Sequence, residues 1–139
     1  MNKEVFILGA SSDIGIETVK VFLSNNWKII AHYNENAKNL KILQGENKSK
    51  IKLLKINFKD TKRAKKIIDD NKKILQNVNS FVSLIGYLKP NNTKKFNFDN
   101  IIKHIQINFF SNMIVIEAIK NSMLKKSFAR VLLSSSIGT

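Results

Sequence analysis

The chain has no cysteine among its 139 residues, so disulfide bonds and thiolate metal sites are excluded. Its two histidines, His32 and His104, lie far apart in the sequence and give little support for any other metal site. No apolar run approaches the roughly 18 residues that a membrane-spanning helix needs. The apolar segment at residues 5–8 is too short for the core of a signal peptide. We therefore expect a cytoplasmic protein that holds no metal and has no membrane partner.

Arginine is also scarce, although the chain is strongly basic. Lysine and arginine number 24 against 10 acidic residues, the net charge is +14, and only Arg63 and Arg130 are arginines. Such a charge is typical of proteins that bind nucleic acid or anionic membranes. However, lysine, asparagine and isoleucine share A/T-rich codons, and the lysines are spread along the chain. We therefore expect no nucleic-acid partner, and a basic protein with salt-dependent affinity for nucleic acid is the least favoured alternative.

Strand-like and helix-like segments alternate from one end of the chain to the other. A length of 139 residues with 43% hydrophobic residues favours one globular domain. The crossovers between strands are long enough to hold helices, so the strands should be parallel. The sequence therefore predicts an α/β fold with a doubly wound parallel sheet, whose ligands bind beyond the carboxyl ends of the strands. The predicted strands are residues 5–8, 27–33, 51–58, 81–85 and 131–135, and the predicted helices are residues 13–25, 36–44, 61–75 and 99–124.

Three residues mark predicted boundaries of these segments. Gly45 is expected to end the second helix, because glycine is the preferred residue just after a helix. Asp99 is expected to cap the start of the last helix with its carboxylate. Pro90 is the only proline and lies in a polar stretch, so residues 87–98 are predicted to form a loop.

The connection between the first strand and the first helix is the most informative segment. It reads Gly-Ala-Ser-Ser-Asp-Ile-Gly from residue 9 to residue 15. A glycine permits a tight turn, and free N–H groups at a helix N-terminus suit a pyrophosphate. The second glycine allows the helix to lie close to the strand. The candidate cofactor-binding residues in this segment are Gly9, Ser11, Ser12, Asp13, Ile14 and Gly15.

The spacing of this segment resembles the cofactor loop of the short-chain dehydrogenase/reductase family, Thr-Gly-x-x-x-Gly-x-Gly, with Asp13 at the middle glycine position. The resemblance continues in order along the chain. Asn57 and Phe58 look like the end of the third strand, where the family commonly has Asp-Val beside the adenine. Ser-Leu-Ile-Gly at residues 83–86 stands where the family has Asn-Asn-Ala-Gly, and only Gly86 is kept. The resemblance implies a Rossmann fold that binds NAD(P).

Two segments look like the places where the family carries catalytic residues. Asn108, in Gln-Ile-Asn-Phe, corresponds to the asparagine that would hold a water in a proton relay. Ser135, in Leu-Ser-Ser-Ser-Ile-Gly at residues 133–138, corresponds to the serine that would hydrogen-bond the substrate oxygen, with Ser134 as the alternative. The implied reaction is hydride transfer between a nicotinamide and the carbonyl or alcohol carbon of a small molecule.

The Tyr-x-x-x-Lys motif of the family does not occur in this sequence. The only tyrosines, Tyr33 and Tyr87, lie on other segments, and the sequence ends at Thr139. We therefore expect residues 1–139 to be the N-terminal part of a single NAD(P)-binding Rossmann domain, with about five βα units and without activity as it stands. By the family's strand order the fifth strand would be an exposed apolar edge. A fragment and the product of a broken gene both remain open, and a non-catalytic dinucleotide-binding protein is the alternative function.

The end of the second strand bears on the choice between NAD and NADP. Enzymes that prefer NAD usually place an acid on the ribose 2′-hydroxyl, and by alignment Tyr33 stands there, followed by Asn34. The missing acid and the nearby Lys38 and Lys41 favour NADP. His32, just before this point, is interpreted as a strand or pocket-rim residue that takes no part in catalysis.

The last helix carries more apolar positions than one stripe can hold. Ile105, Phe109, Phe110 and Met113 are among them, and only one stripe can face the sheet. The rest need another partner, and members of the resembled family often pair this helix across an interface between subunits. We therefore expect the intact protein to be a homo-oligomer.

Overall fold

The computed structural model describes residues 3–89 and 97–135. Helices and strands alternate through these residues, as the sequence predicts. The elements, in chain order, are β1 (Glu4–Leu8), α1 (Asp13–Ser24), β2 (Lys28–Tyr33), α2 (Lys38–Glu46), β3 (Ile51–Lys55), α3 (Thr61–Asp70), α4 (Lys72–Leu75), β4 (Ser80–Ser83), α5 (Phe98–Ile105), a π-helical turn (Gln106–Phe110), α6 (Ser111–Met123) and β5 (Arg130–Leu133).

The five strands form one parallel sheet in the order β3-β2-β1-β4-β5. The central strand β1 pairs with β2 on one side, where Val5 lies opposite Ile29, and with β4 on the other, where Val5 lies opposite Ser80. The prediction of an α/β, doubly wound parallel sheet is therefore confirmed. The order of the strands reverses between β1 and β4, and this is where ligands bind in sheets of this kind.

Apolar side chains cover both faces of the sheet because the central strands are buried on both sides. Successive residues of a strand point to opposite faces, so β1 contributes Phe6 and Leu8 to one layer and Val5 and Ile7 to the other. The first layer packs against α3 and α6, and the second packs against α1 and α2. Burial on both faces explains why β1 reads as a continuous apolar run.

Strand β3 is shorter than predicted, since it ends at Lys55 and not at residue 58. The chain leaves the sheet there through a turn in which the Asn57 side chain accepts a hydrogen bond from Lys59 N. An asparagine that bonds the backbone two residues ahead starts a turn and stops a strand. The prediction that Gly45 ends the second helix is also wrong. Helix α2 runs through Gly45 to Glu46 and is capped by Asn47.

Two further helix boundaries differ from the prediction for local reasons. The predicted helix 61–75 is broken at Asn71, whose side-chain amide donates to Ile67 O and ends α3. The cap of α5 is Asn97, whose Oδ1 accepts from Asn100 N, so the expected cap Asp99 lies within the first turn. A carboxylate in the first turn still suits the positive end of the helix.

The remaining predicted elements agree with the structure to within two residues at each end. These elements are α1, β1, β2, β4 and β5. Ser134 and Ser135 were predicted within the fifth strand but lie just after it. The predicted loop at Pro90 and the segment from Ser136 to Gly138 fall outside the described residues.

A π-helical turn interrupts the long helical run between α5 and α6. Turns of this kind widen the backbone and release carbonyl groups from the regular ladder. Ser111 Oγ donates to Ile107 O, and Asn112 Nδ2 donates to Asn108 O over 3.0 Å. Side chains of the following helix therefore bond carbonyls within the turn that carries Asn108.

Candidate functional site

A cavity of about 320 Å³ lies at the carboxyl ends of β1, β2, β3 and β4. It is placed where the strand order reverses, at the crevice between β1 and β4. Segments that follow four different strands meet there because parallel strands end at the same edge of the sheet. The lining residues are Gly9, Ser11, Ser12, His32, Asn34, Ile56, Asn57, Phe58, Lys59, Leu84, Ile85, Gly86, Tyr87 and Ile107.

Two glycines allow the β1–α1 turn to fold tightly beside the cavity. Gly9 has a φ of +75°, and a Cβ there would lie 2.9 Å from the carbonyl carbon and oxygen of Leu84. A Cβ on Gly15 would lie 2.3 Å from Gly9 O. Both positions exclude a side chain because the clashing atoms belong to the backbone. The predicted roles of these glycines in a tight turn and a close helix therefore have a steric basis.

Ser12 caps helix α1 from within this turn. Its hydroxyl donates to Gly9 O over 2.8 Å and accepts from Gly15 N over 3.0 Å. The Ser12 amide also donates to Gly9 O. Among the described residues, the amides of Ser11, Asp13 and Ile14 have no hydrogen-bond partner in the protein. The turn therefore offers three backbone donors at the positive end of a helix, which is suited to an anion.

His32 holds the opposite wall of the turn. Its Nδ1 accepts from Gly9 N over 3.0 Å, and its Nε2 lies 3.0 Å from Ile56 O. The side chain is 2% exposed, and this burial lowers the pKa of the imidazole to about 4. The ring is therefore neutral near pH 7. The sequence contained the signal, a polar residue directly after the buried run at residues 29–31, but not the bonds that it makes.

Asn108 clamps the turn that follows β4. Its Oδ1 accepts from Tyr87 N over 2.7 Å, and its Nδ2 donates to Tyr87 O over 2.9 Å. One helical turn earlier, His104 Nε2 accepts from Lys89 N over 2.9 Å, and the rings of His104 and Tyr87 lie 5.0 Å apart. Two side chains of one helix face thus fix the backbone of residues 87–89, where the cavity ends.

The cavity brings together seven of the cofactor-binding residues that the sequence predicts. Four others lie near it without lining it. Gly15 is buried behind the turn, Asp13 and Ile14 are exposed at the start of α1, and Tyr33 packs on the opposite face of the sheet. The seven that line the cavity are Gly9, Ser11, Ser12, Asn34, Asn57, Phe58 and Gly86.

The predicted catalytic residues lie on the β4–β5 side of the site. Asn108 contacts the cavity through Tyr87, as described above. Ser134 N donates to Ser83 O over 3.0 Å, and Ser134 and Ser135 are both exposed just beyond the carboxyl end of β5. Lys59, Tyr87 and Ile107 line the cavity without being predicted to do so, and His32 is predicted only as a strand or pocket-rim residue, because such roles depend on which strands are neighbours.

The charge around the cavity is one-sided. Lys59 is the one charged side chain among the lining residues within the described part of the chain, and none of those lining residues is acidic.

A larger groove of about 1000 Å³ lies between α3 and α6, away from the strand ends. Asp69 in that groove forms ion pairs with Lys65 and Lys72 at 2.8 and 3.0 Å. The hydrogen bonds from Lys65 and Lys72 lower the pKa of the Asp69 carboxyl. The charged groups of this groove therefore pair with one another.

Residues 3–89 and 97–135 contain no helix with the length and apolar character needed to cross a membrane. The same part of the chain contains no group of three histidine, aspartate or glutamate side chains placed to hold a metal ion.

The family profile described as short chain dehydrogenase matches residues 3–139. This match covers nearly the whole sequence, and the chain belongs to that family. The family is one of oxidoreductases that use nicotinamide cofactors and act on small molecules. Among curated proteins, none is similar enough in sequence to count as a match.

Solved structures show the same fold at low sequence identity. A putative 3-oxoacyl-reductase from Bacillus thuringiensis has a TM-score of 0.79 at 12% identity, over 94% of this chain and 56% of that one. A short-chain dehydrogenase from Streptomyces avermitilis has a TM-score of 0.81 at 15% identity, over 94% and 47%. A short chain dehydrogenases/reductase from Saccharomyces cerevisiae has a TM-score of 0.81 at 21% identity, over 96% and 54%. The chain therefore spans about half the length of these proteins.

Proposed function

We propose that this chain forms the dinucleotide-binding part of an NAD(P)-dependent oxidoreductase that transfers hydride between the nicotinamide and a carbonyl or alcohol carbon. The observation that carries the proposal is the cavity between β1 and β4, with three free backbone amides at the start of α1. A small domain places a pyrophosphate in this way because a helix N-terminus supplies both donors and positive charge. Residues 1–139 are proposed to be the N-terminal part of one such domain.

The residues of the cavity fit a dinucleotide at both ends. The Ser11, Asp13 and Ile14 amides suit the pyrophosphate, and Gly9 and Gly15 allow the tight turn that presents these amides. The second end is formed by residues that follow β2, β3 and β4. The side-chain amides of Asn34 and Asn57 can bond the adenosine, and the ring of Phe58 can pack against it. The backbone at Gly86 is open, because no atom lies within 4 Å of a Cβ placed there.

The bound cofactor supplies the hydride chemistry, and the protein positions and polarises. We assign to Ser135 the donation of a hydrogen bond to the substrate oxygen, from its exposed position after β5. Asn108 holds the Tyr87 backbone, so it acts first as a positioning residue for the wall of the cavity. Its Oδ1 has a second lone pair, which would serve the predicted water of the proton relay.

We propose that residues 1–139 alone give no turnover. The acid/base pair Tyr-x-x-x-Lys does not occur among them, and Tyr87 is bound by its backbone to Asn108 with its ring against His104. A non-catalytic dinucleotide-binding protein is the second candidate, and the clamped state of the Asn108 amide favours it. The reading frame beyond the Thr139 codon distinguishes the two, because a Tyr-x-x-x-Lys segment there supports the reductase and a stop codon supports the binder.

NADP is the proposed cofactor. The cavity has Lys59 in its lining and no carboxylate to accept the ribose 2′-hydroxyl of NAD within the described residues. Lys38 and Lys41 are exposed on α2, which follows Asn34 closely in the sequence. A 2′-phosphate is therefore better matched in charge than a free hydroxyl.

Titration of the chain with NADPH and NADH by fluorescence tests the proposal. We expect binding of both, tighter for NADPH, and no oxidation of NADPH with a panel of aldehydes and ketones. The variant Ser11→Glu places a negative charge beside the free amides and should raise the Kd of NADPH at least about tenfold. Ser49→Glu makes the same charge change on an exposed turn far from the cavity, and equal weakening by both variants would contradict the assignment of the site.

A homo-oligomer of the intact protein is proposed from the helical run α5–α6. Phe109, Phe110 and Met113 on its outer face are 56%, 44% and 46% exposed. Apolar side chains grouped on one exposed face mark an interaction surface. Light scattering on the intact protein tests this, and a monomeric mass would count against it. A cytoplasmic location stays a prediction.

A further inference from the structure

His32 links the first three strands at the wall of the cavity. Its ring nitrogens contact Gly9 N at the end of β1 and Ile56 O after β3, each over 3.0 Å. Its own carbonyl accepts from Ala10 N over 3.1 Å. One residue of β2 therefore holds two successive amides of the β1–α1 turn and the first carbonyl beyond β3.

The two backbone partners fix the protonation state of the ring. A backbone N–H can only donate and a carbonyl oxygen can only accept, so Nδ1 must be bare and Nε2 must carry the proton. A second proton on Nδ1 would point at the Gly9 N–H and break that bond. The neutral form with the proton on Nε2 is therefore the form that satisfies both neighbours.

The surroundings of His32 are apolar. The ring of Phe58 lies edge-on to the His32 ring at a centroid distance of 5.3 Å. Leu54 on β3 is the residue paired with His32 in the sheet. Lys59 is the charged group and Tyr87 the other titratable group that share the cavity lining with it. No carboxylate among the described lining residues faces the ring, so burial outweighs the bond to Ile56 O and lowers the pKa of the imidazole.

We propose that His32 is a positioning residue for dinucleotide binding, which fixes the spacing between the pyrophosphate turn and the end of β3. This inference rests on the proposed function. Gly9 begins the turn that carries the free amides and places Ser11 in the cavity lining, and Ile56 directly precedes the adenosine-side residue Asn57. Without the imidazole, the Gly9 amide and the Ile56 carbonyl would each lose a partner next to the site.

The first test measures the bond itself in the unmodified chain by NMR. A trans-hydrogen-bond coupling between the Gly9 amide nitrogen and His32 Nδ1, with the proton on Nε2, is the expected result. Protonation of Nδ1, or no coupling, would overturn the proposal. Because it needs no variant, this measurement holds even where a substitution prevents folding.

The second test compares His32→Gln with Leu54→Ala, a buried core variant on the neighbouring strand outside the cavity lining. His32→Gln should raise the Kd of NADPH about tenfold. Leu54→Ala should raise that Kd less than about twofold, even where the two variants lose the same free energy of unfolding. The affinity of the unmodified chain should fall as the pH drops toward 4, while that of His32→Gln stays flat. A positioning role would be contradicted if both variants raised the Kd of NADPH equally. It would also be contradicted if the unmodified chain and His32→Gln lost affinity alike as the pH drops toward 4.

If the unmodified chain binds neither NADPH nor NADH, the proposed function fails, and His32 is judged by amide hydrogen exchange alone. The Gly9 amide, which loses its Nδ1 acceptor, should then exchange faster in His32→Gln than in Leu54→Ala, while the Ala10 amide keeps its bond to the backbone carbonyl of residue 32. Equal exchange in the two variants would show that His32 does not hold the turn.

Discussion

The two sides of the sheet meet solvent in different ways. On the β3–β1 side, formed by β3, β2 and β1, the edge strand exposes Lys52 and Lys55, and charged side chains discourage pairing with another strand. On the β4–β5 side, formed by β4 and β5, the edge strand exposes Val131, Leu132 and Leu133 at 50%, 54% and 49%. One edge is protected by charge, and the other is an apolar template.

The cavity shows the same contrast. Its β3–β1 wall is held by the buried His32, whose ring bonds Gly9 N and Ile56 O. Its β4–β5 wall depends on an exposed asparagine, Asn108, which bonds the backbone of Tyr87. The side that is proposed to bind the cofactor is therefore anchored by a buried side chain, while the side that is proposed to carry the chemistry is anchored by an exposed one and has an apolar edge strand.

The largest expected effect comes from adding one methyl group to each side. Gly15→Ala should destabilise the chain by about 3 kcal/mol, because its Cβ would meet Gly9 O at 2.3 Å and backbone cannot yield cheaply. Gly86→Ala, on the β4–β5 side, has no atom within 4 Å of the new Cβ and should change stability by less than about 0.5 kcal/mol. Urea unfolding of both variants measures the difference, and similar losses would refute the contrast.

The next largest effect is a pH dependence from His32. Its folded pKa of about 4 lies below its ordinary value of 6.5, so the unfolded chain binds more protons between these values. Stability is then complete above about pH 6.5 and falls as the pH drops toward 4. The loss should be about 1.5 kcal/mol between pH 6.5 and pH 5, seen by urea unfolding at each pH.

The variant His32→Gln isolates this term. Glu4 acts in the opposite direction, because burial raises the pKa of its carboxyl and favours the protonated form in the folded chain. The difference between the two proteins cancels that contribution. An identical pH profile with and without His32 would show that the imidazole does not stay neutral in the fold.

A smaller effect is expected at the clamp on the β4–β5 side. Asn108→Leu removes both bonds to Tyr87 and should destabilise the chain by about 1 kcal/mol, since the site is exposed to water. The Tyr87 amide should lose its protection from hydrogen exchange. Asn121→Leu, an exposed position on α6, is the control, and an unchanged Tyr87 exchange rate in Asn108→Leu would rule out the clamp.

The smallest effect on stability, with a clear effect on association, is expected at the two edges. Leu132→Lys should reduce aggregation with little change in unfolding, because the side chain is half exposed and the charge disfavours edge pairing. Lys52→Leu should do the reverse on the β3 edge. Turbidity and light scattering against concentration measure both, and aggregation that ignores both substitutions would mean that edges do not control it.

Much of the fold could be predicted from local pattern. The apolar run at residues 5–8 and the glycine-flanked turn at residues 9–15 gave the first βα unit, because burial and turn chemistry act within a few residues. The strand direction followed from the length of the crossovers. Gly45 misled because the position it occupies is an ordinary helical one. Asn57 and Asn71 ended their elements through side-chain bonds that composition does not reveal.

The site was predictable where residues match a motif within one segment, and the predicted Asn34, Asn57, Phe58 and Gly86 from other segments also line the cavity. The β1–α1 turn was found because its residues are neighbours along the chain. The bonds of His32, predicted only as a strand or pocket-rim residue, and of Tyr87 were not predictable, since they join residues 23 and 21 positions apart. Such contacts require the strand order, which the sequence pattern leaves to tertiary packing.

The place of β1 in the middle of the sheet also determines when the sheet can assemble. Its pairing with β2 needs only the first part of the chain, but the bond from Glu4 N to the Asn79 side chain joins residues 75 positions apart. Closing so long a loop is slow compared with local pairing. During synthesis, β1 must therefore wait with one side open until β4 has left the ribosome, and a chaperone that binds apolar strands would find its substrate in that interval.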